Sequence, residues 1–179
     1  MNNSVKKIHV FGAIFTIFLG TVLHFLYEWT GHSKFTALFS PINESVWEHL
    51  KLLFFPIILF AVFEYFIYGK KTAGFMKAKA VSVFVAIFSV ISIFYTYSGI
   101  IGNNILWIDI LTFVISAVLA YLSSFYIIKN FPANTSSTGV GWFFALLILG
   151  ILFGIFTFFT PHLGIFFDPK TNSYGILNH

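Results

Sequence analysis

The sequence predicts an all-α protein, an integral membrane bundle of five transmembrane helices. The first observation is composition: 58% of the 179 residues are hydrophobic and only 9% are charged, whereas soluble domains carry about 25% charged residues. The second is a set of five apolar runs, each near the ~20 residues that a helix needs to cross ~30 Å of hydrocarbon. They cover residues 10–29, 50–68, 80–101, 105–128 and 140–160. Because every linker is short, we predict a single membrane domain over residues 1–179.

Each run is assigned to a helix rather than to another membrane element. The first follows two lysines, as a signal peptide does, but its apolar part exceeds the usual ~7–15 residues and no A-x-A site follows. The second contains Pro56, which predicts a kink. The third and fourth have the length of a span and lack the strict alternation of barrel strands. The fifth contains Gly150 and Gly154, a G-x-x-x-G spacing that suits close contact within the bundle or in a homo-oligomer.

The lysines predict the orientation of the bundle. All ten basic residues are lysines, and alternating helices place seven of them at one membrane surface: Lys6, Lys7, Lys70, Lys71, Lys77, Lys79 and Lys129. The other three, Lys34, Lys51 and Lys170, fall on the opposite side. The Lys-rich side is cytoplasmic, so we predict a cytoplasmic N-terminus, an extracytoplasmic C-terminal segment and location in the plasma membrane. Lysines along a membrane surface indicate the lipid bilayer as partner and no nucleic acid.

Polar side chains from distant parts of the chain collect on the predicted outer side. The first group is His24, Tyr27 and Glu28, which share a helix face because residues three and four apart are neighbours. His24 lies roughly 7–8 Å below the interface at the standard helical rise. An ionisable residue at that depth faces the bundle or a water-filled cavity. The alternative is a histidine and carboxylate that only satisfy each other.

The second group lies in the segment SPINESVWEHLK, residues 40–51. Helical spacing predicts that four side chains share one face while His49 points elsewhere. The four are Glu44, Trp47, Glu48 and Lys51, with Asn43 at the edge of the face. A capping box from Ser45 to Glu48 is the structural alternative, but it explains only one acid. Clustered titratable groups mark sites, so we predict a functional role for Asn43, Glu44 and Glu48, with Lys51 as counter-ion of one of the glutamates.

The remaining acids and His162 lie near helix ends. Asp109 begins the fourth helix, where it either joins the site or complements the helix dipole. Residues 161–179 contain His162 and Asp168, and Asp168-Pro169 starts a turn. We predict that this segment folds back as an outer lid, the alternative being a tail in the interface plane. Glu64 lies at the opposite end, where it pairs with a lysine or snorkels to the interface, or else ends a polar path.

These residues support three functional hypotheses. The preferred one is binding, with or without transport, of a small cation, an amine or a metal ion, because carboxylates beside aromatic rings attract cations. The absence of arginine disfavours a phosphate or carboxylate clamp. The candidate ligand-binding residues are His24, Tyr27, Glu28, Asn43, Glu44, Trp47, Glu48, Asp109, His162 and Asp168. The candidate ligands of a divalent metal, whose identity is open, are His24, Glu28, Glu44, Glu48 and His162.

The second hypothesis is a membrane-embedded enzyme that acts on a lipid-like substrate by acid–base or metal chemistry. No H-E-x-x-H motif is present to specify the metal variant. The third hypothesis is a structural or accessory subunit whose polar motif binds a partner. Transport is disfavoured by the lack of an inverted repeat, since five helices cannot divide into equal halves.

Five segments carry a resemblance to a known family. They read HFLYEWTG, FSPINESVWEHLKLLFFP, FEYF, YTYSGI and FTFFTPHLGIFFDPKTNSYGI. In these motifs and in their order the chain resembles a family of small bacterial multi-span membrane proteins of unknown function, which carries an SPxNESxWEHxK-type motif. The resemblance implies a five-helix integral membrane protein. It brings no activity, substrate or cofactor.

Overall fold

The computed structural model describes residues 3–130 and 139–176. Over these residues the chain forms five long helices and a short β-hairpin. The helices are α1 Asn3–Trp29, α2 Val46–Ile67, α3 Phe75–Ile101, α4 Leu106–Asn130 and α5 Val140–Phe158, and the hairpin pairs β1 Phe167–Asp168 with β2 Ser173–Tyr174. All five helices are long and apolar enough to cross a membrane. The predicted all-α bundle is thereby confirmed, while the orientation of the termini stays a prediction.

The helix bounds differ from the apolar runs mainly at the N-terminal ends. α1, α2 and α3 begin four to seven residues before the corresponding runs at residues 10, 50 and 80. The reason is that an apolar run marks only the apolar part of a helix, whereas the helix itself continues through the polar residues that flank the run. α5 ends at Phe158, before Pro161, which cannot continue a helix. Residues 177–179 of the predicted lid segment lie outside the described residues.

α2 is the central helix of the bundle. More than half of its apolar window is buried (56%), against at most 33% for the other four helices. Its Leu50, Leu53 and Ile57 belong to a buried hydrophobic cluster that also contains alanines of α3 and α4. The surrounding helices turn large apolar side chains outward, and Phe88 is 72% exposed. A surface of this kind is suited to hydrocarbon rather than to water.

Glycines permit close contacts within the bundle. A Cβ added at Gly12 would collide with the Tyr121 ring, so the glycine lets α1 approach α4. A Cβ at Gly150 would lie 3.3 Å from Phe54, and one at Gly154 would lie 3.5 Å from Leu38. The G-x-x-x-G spacing of α5 therefore serves contacts within the same chain, which was one of its two interpretations. A homo-oligomer through this face stays a prediction.

The end of the bundle at which α2 ends and α3 begins contains a buried ion pair. We call it the Glu64 end. Glu64 and Lys79 form the pair, and both are almost fully buried. Tyr68 donates a hydrogen bond of 2.7 Å from its hydroxyl to Glu64 Oε1. The expectation that Glu64 pairs with a lysine is thus met by Lys79.

The Glu64–Lys79 pair provides a stability prediction. In Glu64→Ala the Lys79 ammonium remains buried without its partner, which costs about 3–5 kcal/mol in comparable pairs. We expect a loss of this size in the free energy of unfolding in detergent, measured by denaturant titration with circular dichroism.

The matched control is the double variant Glu64→Leu/Lys79→Met, which removes both charges and keeps similar volume. We expect its stability to lie much closer to that of the wild type. Equal losses in the single and double variants would show that the pairing of the charges does not matter.

Candidate functional site

The opposite end of the bundle holds the segment in which the sequence concentrates its polar residues. We call it the Glu48 end; here α1 ends, α2 begins and α5 ends. Ser40 fixes the α1–α2 loop to the last turns of α1. Its hydroxyl donates to the Leu23 carbonyl and accepts a 3.1 Å hydrogen bond from the Tyr27 backbone N–H. The loop is thereby held against α1 and leads directly into α2.

Glu48 is the buried centre of this end. Its Oε2 accepts hydrogen bonds from Lys51 Nζ at 2.6 Å and from the Ile42 backbone N–H at 3.1 Å. Its Oε1 lies 3.1 Å from Thr157 Oγ1 of α5, whose hydroxyl proton is shared between this carboxylate and the Phe153 carbonyl at 2.8 Å. The prediction that Lys51 is the counter-ion of a glutamate is confirmed for Glu48. With both oxygens occupied, Glu48 joins three parts of the chain and is not free to bind a ligand.

The first turn of α2 is capped, and Glu44 lies before it. Ser45 is the N-cap, and its Oγ accepts a 3.4 Å hydrogen bond from the Glu48 backbone N–H. This is one half of the predicted capping box; the Glu48 carboxylate reaches Ile42 rather than Ser45. Asn43 Oδ1 accepts from the Ser45 backbone N–H at 3.0 Å. Residues 43–45 therefore form a turn, and helical spacing does not apply to Glu44.

This turn corrects the predicted arrangement of the segment. Glu44 does not share a helical face with Glu48, because the helix begins only at Val46. Instead Glu44 Oε2 lies 3.3 Å from His49 Nε2. The expectation that His49 points away from Glu44 is wrong as well, because it also assumed that the helix includes Glu44. His49 is the residue that sequence reasoning missed. An asparagine two residues before a serine N-cap was the signal that Glu44 precedes the helix.

Three ligand atoms converge here from α1, the loop and α2. His24, Glu44 and His49 each offer one nitrogen or oxygen, and these atoms lie within 4.8 Å of one another. The rings of His24 and His49 are 5.1 Å apart between centroids. His24 Nδ1 is buried and has no hydrogen-bond partner among the described residues. We refer to these three residues as the His24 cluster.

The hydrogen bonds of His49 decide what its second nitrogen can do. His49 Nδ1 lies 2.9 Å from the Ser45 carbonyl, which can only accept, so Nδ1 carries a proton. Nε2 then faces the Glu44 carboxylate, also an acceptor, and a cation must stand between them. That cation is either a proton on Nε2 or a bound metal ion. A histidine that donates one N–H to a backbone carbonyl and points the other nitrogen at a site is the usual arrangement of a metal ligand.

Two hydrogen-bonding neighbours keep Glu44 ionised. The hydrogen bond with His49 is the main cause, and a second hydrogen bond, from Lys170 Nζ at 2.9 Å, adds to it. Together they lower the pKa of Glu44 from its ordinary 4.5 to about 2, although partial burial acts in the opposite direction. The same hydrogen bond raises the pKa of Lys170. Glu44 is therefore a carboxylate at any physiological pH and is ready to bind a cation.

Two other predicted site residues, Asp109 and Asp168, have structural partners of their own. Asp109 accepts hydrogen bonds from the Tyr97 hydroxyl and from Asn104, and so ties α3 to α4. Asp168 accepts from the Lys170 backbone N–H and from Thr171 Oγ1, both at 2.8 Å, and so forms the turn of the β-hairpin. Its predicted turn is present.

The aromatic and exposed candidates are also not members of the His24 cluster. Trp47 packs with Phe153, Phe156 and Phe166. The ring of His162 packs on Tyr174, with centroids 4.6 Å apart. Tyr27 is buried with its ring near His32, and Glu28 is exposed at the end of α1. Of the five predicted metal ligands, the structure brings together only two, His24 and Glu44.

The C-terminal segment folds back onto the start of α2. Asn43 Nδ2 donates to the Gly175 carbonyl at 3.0 Å, and Phe166 is buried against Trp47. Lys170, at the hairpin turn, reaches Glu44. The segment is therefore packed on the bundle, and its action as a lid stays a prediction.

Comparison with protein families adds the following. A family described as "Family of unknown function (DUF6512)" matches residues 1–176. The chain belongs to this family. No functionally curated protein and no solved structure matches the chain. Membership confirms the expected assignment to a family of unknown function. It supplies no ligand, so the function of this DUF6512 member has to be argued from its own residues.

The electrostatics of Glu44 lead to a prediction on pH. The carboxylate is stabilised in its charged form, so its pairs with His49 and Lys170 should persist at pH 4 and be lost only as the pH falls towards about 2. Infrared difference spectra of wild type against Glu44→Gln isolate the band of this carboxylate during an acid titration.

The control is the double variant His49→Ala/Lys170→Gln, which keeps Glu44 and removes both partners. We expect the Glu44 band to disappear at or above its ordinary pKa of 4.5 in this variant, because partial burial raises the pKa once both partners are gone. The same midpoint in both proteins would contradict the assigned contacts.

Proposed function

We propose that this protein binds a divalent transition-metal ion of the zinc type through His24, Glu44 and His49. The observation that carries the proposal is the convergence of their three ligand atoms within 4.8 Å of one another. Two imidazole nitrogens and one carboxylate oxygen are ligands that zinc and its first-row neighbours accept. Soft metals that require thiolates are disfavoured, because the chain has no cysteine.

The spacing favours an ion over an organic ligand. In a tetrahedral site with bonds of ~2.1 Å, ligand atoms lie about 3.4 Å apart. Small rotations of side chains that are already within 4.8 Å can reach that spacing. An amine or a lipid head group would need the same side chains to separate. Among the cations considered from the sequence, a single metal ion is the best fit.

The surroundings supply what a metal site needs beyond its ligands. The buried Glu48 network fixes the start of α2, on which His49 lies. The Ser45 carbonyl sets the tautomer of His49, and His24 has a buried nitrogen that lacks a partner among the described residues. Three protein ligands leave a fourth coordination position for water or an exchangeable ligand. Catalytic zinc sites have such an open position, whereas structural zinc sites are closed by four protein ligands. With the Lys-rich surface cytoplasmic, the ion enters from outside the cell.

Zinc binding to the detergent-purified protein tests the proposal directly. After the protein has been treated with a chelator, we expect isothermal titration calorimetry to show one zinc ion bound per chain. His24→Ala, Glu44→Gln and His49→Ala should each weaken binding by more than the ~10–100-fold typical of second-shell changes. Because imidazoles must be deprotonated to bind a metal, the affinity should fall as the pH is lowered. Cobalt substitution adds a spectroscopic readout of ligand geometry.

The matched control is His162→Ala. This residue has the chemistry of a ligand and was a candidate from the sequence, but it does not belong to the His24 cluster. We expect wild-type zinc affinity in this variant. Absence of stoichiometric binding to the wild type, or equal losses in the control and the cluster variants, would refute the metal site. A co-purified lipid in contact with Glu44 would instead favour the enzyme hypothesis.

A further inference from the structure

The hairpin turn places a lysine on the carboxylate of the proposed metal site. Lys170 Nζ donates a 2.9 Å hydrogen bond to Glu44 Oε1, across 126 positions of the sequence. The other oxygen, Oε2, faces His49. One carboxylate is thus shared between the His24 cluster and a cation delivered by the C-terminal segment. In the described residues, 3–130 and 139–176, the Lys170 ammonium contacts Glu44 and no other member of the His24 cluster.

The backbone of the hairpin is held by hydrogen bonds, whereas the side chain of Lys170 is exposed. Asp168 is buried and holds the backbone N–H of Lys170 and the hydroxyl of Thr171. Asn43 holds Gly175, at the far side of the hairpin, by its backbone carbonyl. In contrast, the Lys170 side chain is 72% exposed. The ammonium can leave Glu44 by rotation of its own side chain, with no opening of the hairpin.

We infer that Lys170 is a built-in competitor of the metal ion: it neutralises Glu44 when the site is empty and withdraws into solvent when a dication binds. The inference rests on the proposed function and assigns regulation to the same site. Its physical basis is that an ammonium beside Glu44 repels an incoming dication and lowers the negative charge available to it. An exposed ion pair is weak, so withdrawal is easy. The lysine tunes the affinity and does not block the site.

The test compares the zinc affinity of the full chain with that of Lys170→Gln. Loss of an exposed pair should raise zinc affinity by about two- to fivefold. The control is Lys34→Gln, which removes the same charge from an exposed position in the loop after α1 and should leave the affinity unchanged. An unchanged or lower affinity in Lys170→Gln would overturn the inference, as would an equal rise in the control.

A double-mutant cycle tests whether the hairpin positions the lysine. Asp168→Ala removes both hydrogen bonds that hold the turn carrying Lys170 and should raise zinc affinity by a similar factor. In the Lys170→Gln background it should have no further effect, because the competitor is already gone. Additive effects would show that Asp168 acts independently of Lys170 and would count against the inference.

The outcomes for the inference and for the proposed function differ. If the wild type binds no zinc, the metal site itself is refuted and its competitor with it. If the wild type binds zinc through the His24 cluster and Lys170→Gln binds it equally well, the metal site stands and the competitor is refuted.

Discussion

The arrangement of the Glu48 end depends on the pairing of one buried carboxylate. A charge removed from solvent is tolerated only if it is paired and hydrogen-bonded, and Glu48 meets this condition with partners from the loop, from α2 and from α5. Each partner fixes one element relative to the others. The position of the loop places Glu44, and the orientation of the first turn of α2 places His49. Disruption of Glu48 would displace both before any ligand was considered.

The short polar segment therefore divides its acids between two tasks. Glu48 is buried, fully bonded and structural, while Glu44 lies four residues earlier in a turn and is left with cationic neighbours. An apolar bundle has few side chains that can close a loop against three helices, so the polar residues concentrate where the chain re-enters the bundle. The same concentration brings histidines and a carboxylate close enough to bind an ion.

The two ends of the bundle contrast in how their charges are arranged. At the Glu64 end one acid is paired with one lysine, Lys79, and accepts a hydrogen bond from the Tyr68 hydroxyl. At the Glu48 end two histidines lie beside one carboxylate, Glu44, and their three ligand atoms lie within 4.8 Å of one another. This convergence of ligand atoms, more than the number of polar residues, distinguishes a candidate site from a structural pair.

The sequence by itself determined the five helices, because lipid forces each span to satisfy its own backbone hydrogen bonds and this requirement is local. It also indicated the Ser45 cap and the Asp168 turn, which depend on residues adjacent in the chain. It indicated a lysine partner for Glu64 as well, because lysines lie at the same level of the bundle. Only the tertiary structure decided which candidates meet. Helical spacing failed for Glu44 and His49 because the helix starts between them. The partners that decide the rest, Thr157 for Glu48 and Lys170 for Glu44, lie more than 100 residues away, and packing alone brings them together.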